Sequence, residues 1–186
     1  MRIIAGEYRS RKIETRSGNE TRPTLDKVRE AVFSSLGGMF DGGMVLDLYA
    51  GSGANGLEAL SRGFDYAVFA DISKDAINII RKNIESLHCQ DKTKVLHMPD
   101  KKVLSLLKAE GLRFDLVYLD PPYARQHNDE ILEYLYENKM ITDRGVVVIE
   151  SAKEDEFKKE FGSLKPYKEA TYGITRITYY RNEVEG

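Results

Sequence analysis

The chain has no tryptophan and a single cysteine, Cys89. One thiol cannot form an intramolecular disulfide, and such cysteine usage fits a reducing compartment, so a cytoplasmic location is expected. Three scattered histidines and that cysteine give no metal-ligand spacing, and no metal is expected. No apolar run approaches the roughly 20 residues of a membrane-spanning helix. The N-terminus has no signal-peptide core, because polar residues follow Ile3 and Ile4 at once. What is present is 31% charged and 41% hydrophobic residues in a chain of 186, the composition of a soluble globular protein. That length bounds the chain to one domain with a small extension. There are no internal repeats and no low-complexity run.

The net charge of −2 hides an asymmetry. Residues 1–29 carry eight Lys or Arg against four acids, net +4, which leaves −6 on the remainder. A basic arm on an acidic body points to a polyanion. Residues 1–23 form this extension and 24–186 the main domain. Arg2–Gly6 and Arg11–Ile13 read as short strands joined by a turn, and Asn19–Arg22 as open loop. A helix then starts at Pro23-Thr24 with Thr24 as N-cap, buries Leu25, Val28, Val32 and Leu36, and ends at Gly37-Gly38. Arg22 and Arg29 flank this helix and are candidates to face a phosphate.

From Met44 the pattern becomes strand, glycine loop, helix. Val45, Leu46 and Leu48 are of buried-strand type. Gly51, Gly53 and Gly56 permit a tight turn and close approach of a ligand. Helical spacing resumes from Leu57 to Arg62 and stops at Gly63. Strands follow at 66–70, 95–97, 114–119 and 146–149, alternating with a helix capped by Ser73, whose apolar face is Ile77, Ile80, Ile84 and Leu87, and with helices at 103–107 and 129–138. Alternation of this kind means a parallel sheet built by right-handed crossovers. The C-terminal part differs: a charged helix over 154–161, then strands at 165–171 and 174–180 joined near Tyr172-Gly173, which must be antiparallel. The fold class is α/β: a Rossmann-like, mostly parallel sheet with an antiparallel C-terminal hairpin.

Gly51-x-Gly53-x-x-Gly56 matches the dinucleotide fingerprint, with Asp71 at the distance expected of a ribose ligand. Asp47, inside the strand just before the loop, would repel a pyrophosphate and suits a cationic end such as an amino group. Asp47, Asp71, Asp100 and Asp120 each fall at or near the C-terminal end of a predicted parallel strand, the rim where α/β proteins hold ligands. Asp71 suits a ribose diol, Asp100 an exocyclic adenine amine, Asp47 and Asp120 a cationic head group. Any single one also reads as a helix cap or turn residue. The sharpest motif is Asp120-Pro121-Pro122-Tyr123. Two prolines remove two N–H donors, so backbone carbonyls and the carboxylate make an acceptor-only pocket that fits an exocyclic NH2. Tyr123 offers a stacking face for the base that carries it.

Asp47–Gly53 together with Asp120–Tyr123 resemble class I S-adenosylmethionine-dependent methyltransferases acting on an exocyclic amine. Arg2–Gly6, Arg22-Pro23-Thr24 with Val28-Arg29-Glu30, Gly56–Gly63 and Tyr172–Thr175 resemble, more narrowly, the bacterial 16S rRNA guanine-N2 methyltransferases of the small subunit. The likeness runs in order along nearly the whole chain. It departs at Asn55, where the family usually has an apolar residue, and at Lys101-Lys102, where small residues are commoner.

The resemblance implies transfer of a methyl group from S-adenosylmethionine to guanine N2 by in-line displacement. Asp120, Pro121, Pro122 and Tyr123 would form the reacting centre. Asp47, Ala50, Gly51, Gly53, Asp71, Ile72, Asp100 and Asp120 would hold the cofactor. Arg2, Arg9, Arg11, Lys12 and Arg22 would contact RNA phosphate. The expected partner is 16S rRNA in an assembled or partly assembled small ribosomal subunit, with the enzyme a monomer. Three rivals stand beside this reading. A DNA adenine or cytosine amino-methyltransferase would need a target-recognition insert for which the chain has little room. An NAD-dependent oxidoreductase would need catalytic residues that nothing here resembles. A non-catalytic RNA-binding protein would have no use for an intact Asp-Pro-Pro-Tyr.

Overall fold

The computed structural model describes residues 1–16 and 22–184, with the backbone alone at 22–24. Of the loop expected at 19–22, residues 19–21 and the Arg22 side chain lie outside the described residues, and the Arg22 backbone is helical instead. The chain divides into two compact units, Met1–Asp100 and Lys101–Gly186.

In the first unit, α1 (Arg22–Ser35), β1 (Met44–Asp47), α2 (Ala54–Ser61), β2 (Tyr66–Asp71), α3 (Lys74–Leu87) and β3 (Thr93–His97) follow in order. The strands pair in parallel as β3-β2-β1, with Val45 opposite Ala67 and Val68 opposite Lys94. Their apolar residues are almost wholly buried because helices cover them, as a near-continuous hydrophobic strand demands. Ser73 caps α3, its hydroxyl accepting from the Ala76 N–H, and Ile77, Ile80, Ile84 and Leu87 form the buried stripe, as the spacing predicts. In α1 the expected stripe holds at Val28 and Val32, while Leu25 and Leu36 are only half-buried. This helix begins at Arg22, two residues before the expected Thr24 cap.

The first sixteen residues are not the pair of strands their sequence suggests. One antiparallel bridge joins Arg2 to Lys12, and turns at Gly6 (φ +89°) and Ser10 (φ +68°) fill the space between. Ile3 and Ile13 are 1% exposed, so this basic segment carries its own apolar anchors.

The second unit contains α4 (Asp100–Ala109), which starts on the last residue of the first, then β4 (Phe114–Leu119), α5 (Asn128–Glu137), β5 (Ile141–Ala152), β6 (Leu164–Tyr172) and β7 (Thr175–Asn182). Its strand order is β4-β5-β7-β6; β4 and β5 are parallel, and β7 runs antiparallel to both β5 and β6. The antiparallel C-terminal pair is the one expected. Strand β5 is 12 residues long and extends well beyond the predicted Val146–Ile149 core.

The helix expected at 154–161 does not form. Only Phe157 and Phe161 are apolar there, too few to bury a helical stripe, and both are buried from irregular backbone. Side chains of β7 hold carbonyls along the irregular backbone instead: Arg176 donates to Lys153 O, just before the segment, at 2.8 and 3.0 Å, and Tyr180 to Lys159 O at 2.7 Å. Phe161 instead bridges to Leu164 at the entrance to β6.

Candidate active site

The first unit supplies a loop shaped for a ligand. Between β1 and α2 the backbone turns through Gly51 (φ +59°) and Gly53 (φ +85°), conformations that favour glycine. The Ala50 N–H donates to Ala70 O and the Gly53 N–H to Ala50 O, at 2.8 and 2.7 Å, which sets the turn against the end of β2. A Cβ on Gly51 would meet nothing within 4 Å, so the loop has open space beside it. A Cβ on Gly56 would lie 2.4 Å from the Phe69 ring. The third glycine thus serves close packing of α2 on β2, the role it has in doubly wound folds generally.

Two rim carboxylates are committed to this loop. Asp47 ends β1 at 1% exposure, and its Oδ2 accepts from the Gly56 N–H at 3.0 Å, in the first turn of α2. Asp71 ends β2; Oδ2 accepts from the Gly51 N–H at 2.9 Å and Oδ1 from the Ser73 N–H at 2.8 Å. Each Asp71 oxygen keeps a further lone pair that a ribose hydroxyl can use. Ile72 follows at 70% exposure, with its carbonyl 3.0 Å from His97 Nε2. Asp100 opens α4 just past β3, and its Oδ2 accepts from the Tyr49 hydroxyl at 2.7 Å. Burial, and secondarily that bond, hold the Tyr49 hydroxyl well above the usual phenol range. Asp47, Asp71 and Asp100 therefore do share the rim of one parallel sheet. Asn55 is half-buried in α2, while Lys101, exposed on α4, pairs with Glu130 at 3.3 Å.

The sequence reading missed a carboxylate hub behind the loop. Glu58, fully buried on α2, accepts from Arg29 Nε (3.1 Å), Arg62 Nε (2.8 Å), and the Ile4 and Ala5 N–H groups (3.0 and 3.2 Å). Arg29 is not a phosphate ligand: at 4% exposure it spends its guanidinium on Glu58, Asp26 and the Arg2 carbonyl. The i,i+4 spacing of Glu58 and Arg62 was the available signal; the partner on α1 could not be read from spacing. Ser61 adds to the hold on the N-terminal segment. Its carbonyl accepts from Glu7 N–H at 2.8 Å, and its hydroxyl accepts from Tyr8 N–H (2.9 Å) while donating to Ala5 O (2.6 Å). The four described cations expected to contact RNA, Arg2, Arg9, Arg11 and Lys12, are all exposed. Arg2 also donates to Ser10 O, and Arg11 to Ser86 O, both at 2.8 Å.

In the second unit, Asp120 leaves the C-terminal end of β4 half-buried, followed by buried Pro121 and exposed Pro122. Pro122 O accepts from the Arg125 N–H at 3.0 Å in a short helical turn over Tyr123–Arg125. Tyr123 is 39% exposed, with its hydroxyl 3.2 Å from Thr175 Oγ1 at the start of β7. The motif thus presents a carboxylate, donor-free backbone and an accessible aromatic ring.

The mostly parallel sheet with its glycine loop after β1 and its antiparallel C-terminal pair has the class I S-adenosylmethionine-dependent methyltransferase fold. The chain superimposes on the S-adenosylmethionine-dependent methyltransferase of Agrobacterium tumefaciens with TM-score 0.63 at 14% identity, covering 87% of this chain and 63% of that one. The profile of the Conserved hypothetical protein 95 family matches residues 1–181, and the chain belongs to that family. It is 30% identical over 186 residues to the Ribosomal RNA small subunit methyltransferase D of Escherichia coli K12, covering all of this chain and 92% of that protein. A Streptococcus pyogenes conserved hypothetical protein of known structure is 38% identical, with TM-score 0.79 over 83% of this chain and 95% of that one. Among the described residues no cluster of side chains could hold a metal ion, and no helix is long and apolar enough to cross a membrane.

Proposed function

We propose that this chain methylates the exocyclic N2 amine of a guanine in small-subunit rRNA, within an assembled or partly assembled subunit. The observation that carries the reading is the Asp120–Tyr123 turn at the end of β4, beside family membership with named rRNA methyltransferases. The residues of the glycine loop fit S-adenosylmethionine, because the space beside Gly51 is open and Asp71 retains acceptor capacity toward a ribose. Asp47, Ala50, Gly51, Gly53, Asp71, Ile72 and Asp100 would hold it, with Asp120 toward its cationic end; once bound, it supplies an electrophilic methyl on a sulfonium.

The protein's task is then positioning. The Asp120 carboxylate and the Pro121 carbonyl accept from the amine N–H groups and aim the nitrogen lone pair at the methyl. The same carboxylate stabilises positive charge as it grows on nitrogen. Tyr123 stacks on a guanine that has left its helix or loop. Arg2, Arg9, Arg11, Lys12 and Arg22 neutralise phosphates. The deciding experiment transfers labelled methyl to small subunits and rRNA from cells lacking this protein, then maps the modified nucleotide. Label on a single guanine N2 is the expected result. Label on an adenine or on DNA would overturn it.

A further inference from the structure

Asn83 is a polar residue on the otherwise apolar inner face of α3, next to Ile84 and one turn from Ile80, and is 3% exposed. A buried carboxamide is costly unless its hydrogen-bonding groups are matched. Here they are matched by backbone alone, from two segments outside regular secondary structure. Oδ1 accepts from the Glu14 N–H at 2.8 Å, and Nδ2 donates to Glu14 O at 2.9 Å, a two-point bond that treats residue 14 as a partner strand would. The other Nδ2 proton goes to Ser52 O at 2.9 Å, inside the glycine loop.

The Ser52–Gly53 peptide is thereby held at both ends: its carbonyl by Asn83, its N–H by Ala50 O. Glu14 lies two residues beyond Lys12 and three beyond Arg11, on the segment whose cations face solvent. One side chain thus joins the backbone of the basic segment to the backbone of the cofactor loop. We infer that Asn83 is a positioning residue that couples RNA engagement by the N-terminal segment to cofactor binding at the loop, so that each ligand tightens the other. The inference rests on the functional reading above, which supplies the two ligands. Coupling of this kind is reciprocal, whichever ligand binds first.

The test is a thermodynamic box with S-adenosylhomocysteine and a transcribed small-subunit rRNA fragment. Each dissociation constant is measured with and without the other ligand. The wild-type chain is expected to show a coupling factor of about tenfold, in the ordinary range for linked sites. Asn83→Leu, which keeps the volume but none of the bonds, should bring that factor to about one while circular dichroism stays native. Glu14→Pro supplies an independent check: its side chain is exposed, and the change removes the N–H that Oδ1 accepts, while fixing φ at residue 14 and restricting Ile13. It should leave the affinity for S-adenosylhomocysteine alone near wild type and still lower the coupling. If Asn83→Leu does not fold, Glu14→Pro decides. A wild-type factor of one, or an unchanged factor in the folded variants, overturns the inference. Failure of the wild-type chain to bind S-adenosylhomocysteine at all would instead sink the methyltransferase reading.

Discussion

At the residue scale, the acceptor and stacking roles assigned to the Asp-Pro-Pro-Tyr turn separate cleanly. Tyr123→Ala removes a ring face worth roughly 1–3 kcal/mol, and single-turnover methyl transfer should fall while S-adenosylmethionine still binds. Tyr123→Phe keeps the face and loses only the hydroxyl near Thr175, so it should cost much less. Asp120→Asn turns an acceptor into a donor facing the amine, and the rate should drop by about 10²-fold or more, as when one preorganised transition-state contact is lost. A wild-type rate for Asp120→Asn would remove that carboxylate from the reacting centre.

The lone thiol makes a second residue-scale prediction. Burial pushes Cys89 up to about 11, and in the other unit burial, with Asp129 and Glu160, pushes Tyr180 up to about 12. Both groups are protonated more readily in the folded chain than in the unfolded one. The stability they add is complete below the ordinary pKa of each group, and disappears as pH rises through the folded value. Chemical denaturation should therefore show constant stability from these groups up to about pH 9, then a decline toward pH 11. Iodoacetamide at pH 8 should leave native Cys89 unmodified and alkylate it promptly in urea.

At the scale of elements, α2 is held by charge as much as by apolar contact. Glu58 is fully buried with Arg29 and Arg62 at 4% side-chain exposure, so solvent screens the hub little. Glu58→Gln removes the charge that two buried guanidinium groups share, and breaking a buried pair from one side typically costs about 3–5 kcal/mol. A urea midpoint indistinguishable from wild type would show that the hub relaxes around the change. This hub marks where sequence reading reached its limit. Periodicity gave α3, β4 and the C-terminal hairpin almost to the residue, because each has one face to bury and a clear stop. It misplaced 154–161, where a charge-rich run looked helical but has only Phe157 and Phe161 to bury, and where Tyr180 of a distant strand holds the Lys159 carbonyl. It took Arg29 for a surface cation, because ion pairs 29 residues apart leave no local pattern. The turn built by Gly51, Gly53, Asp47 and Asp71 was legible because a strand–loop–helix junction has local spacing; Asn83 was not, since its partners are Glu14 and Ser52.

At the scale of the whole molecule, the charge asymmetry becomes a measurable salt dependence. Arg9 and Lys12 are exposed. If both meet phosphates, Arg9→Ala with Lys12→Ala should flatten the plot of log affinity for rRNA against log salt by about 0.7 per lost contact on single strands, or about 0.9 on a duplex. Affinity for S-adenosylhomocysteine should stay within twofold of wild type. An unchanged slope would make these cations solvated surface only. Deleting the whole segment would test something else, since Ile3, Tyr8 and Ile13 are part of the buried core and Glu58 would lose two N–H donors.

The docking of that segment also sets an order of events during synthesis. Its hydrogen-bond partners on α2 lie 53 to 56 residues downstream, and Asn83 lies 69 beyond Glu14. This segment must therefore wait, with Ile3, Tyr8 and Ile13 uncovered, until α2 and then α3 have been made. Closing such long loops is slow, and apolar residues that wait in the open are available to other chains. A segment made before its partners is thus among the last to settle. Chaperones that meet the nascent chain should find their grip there.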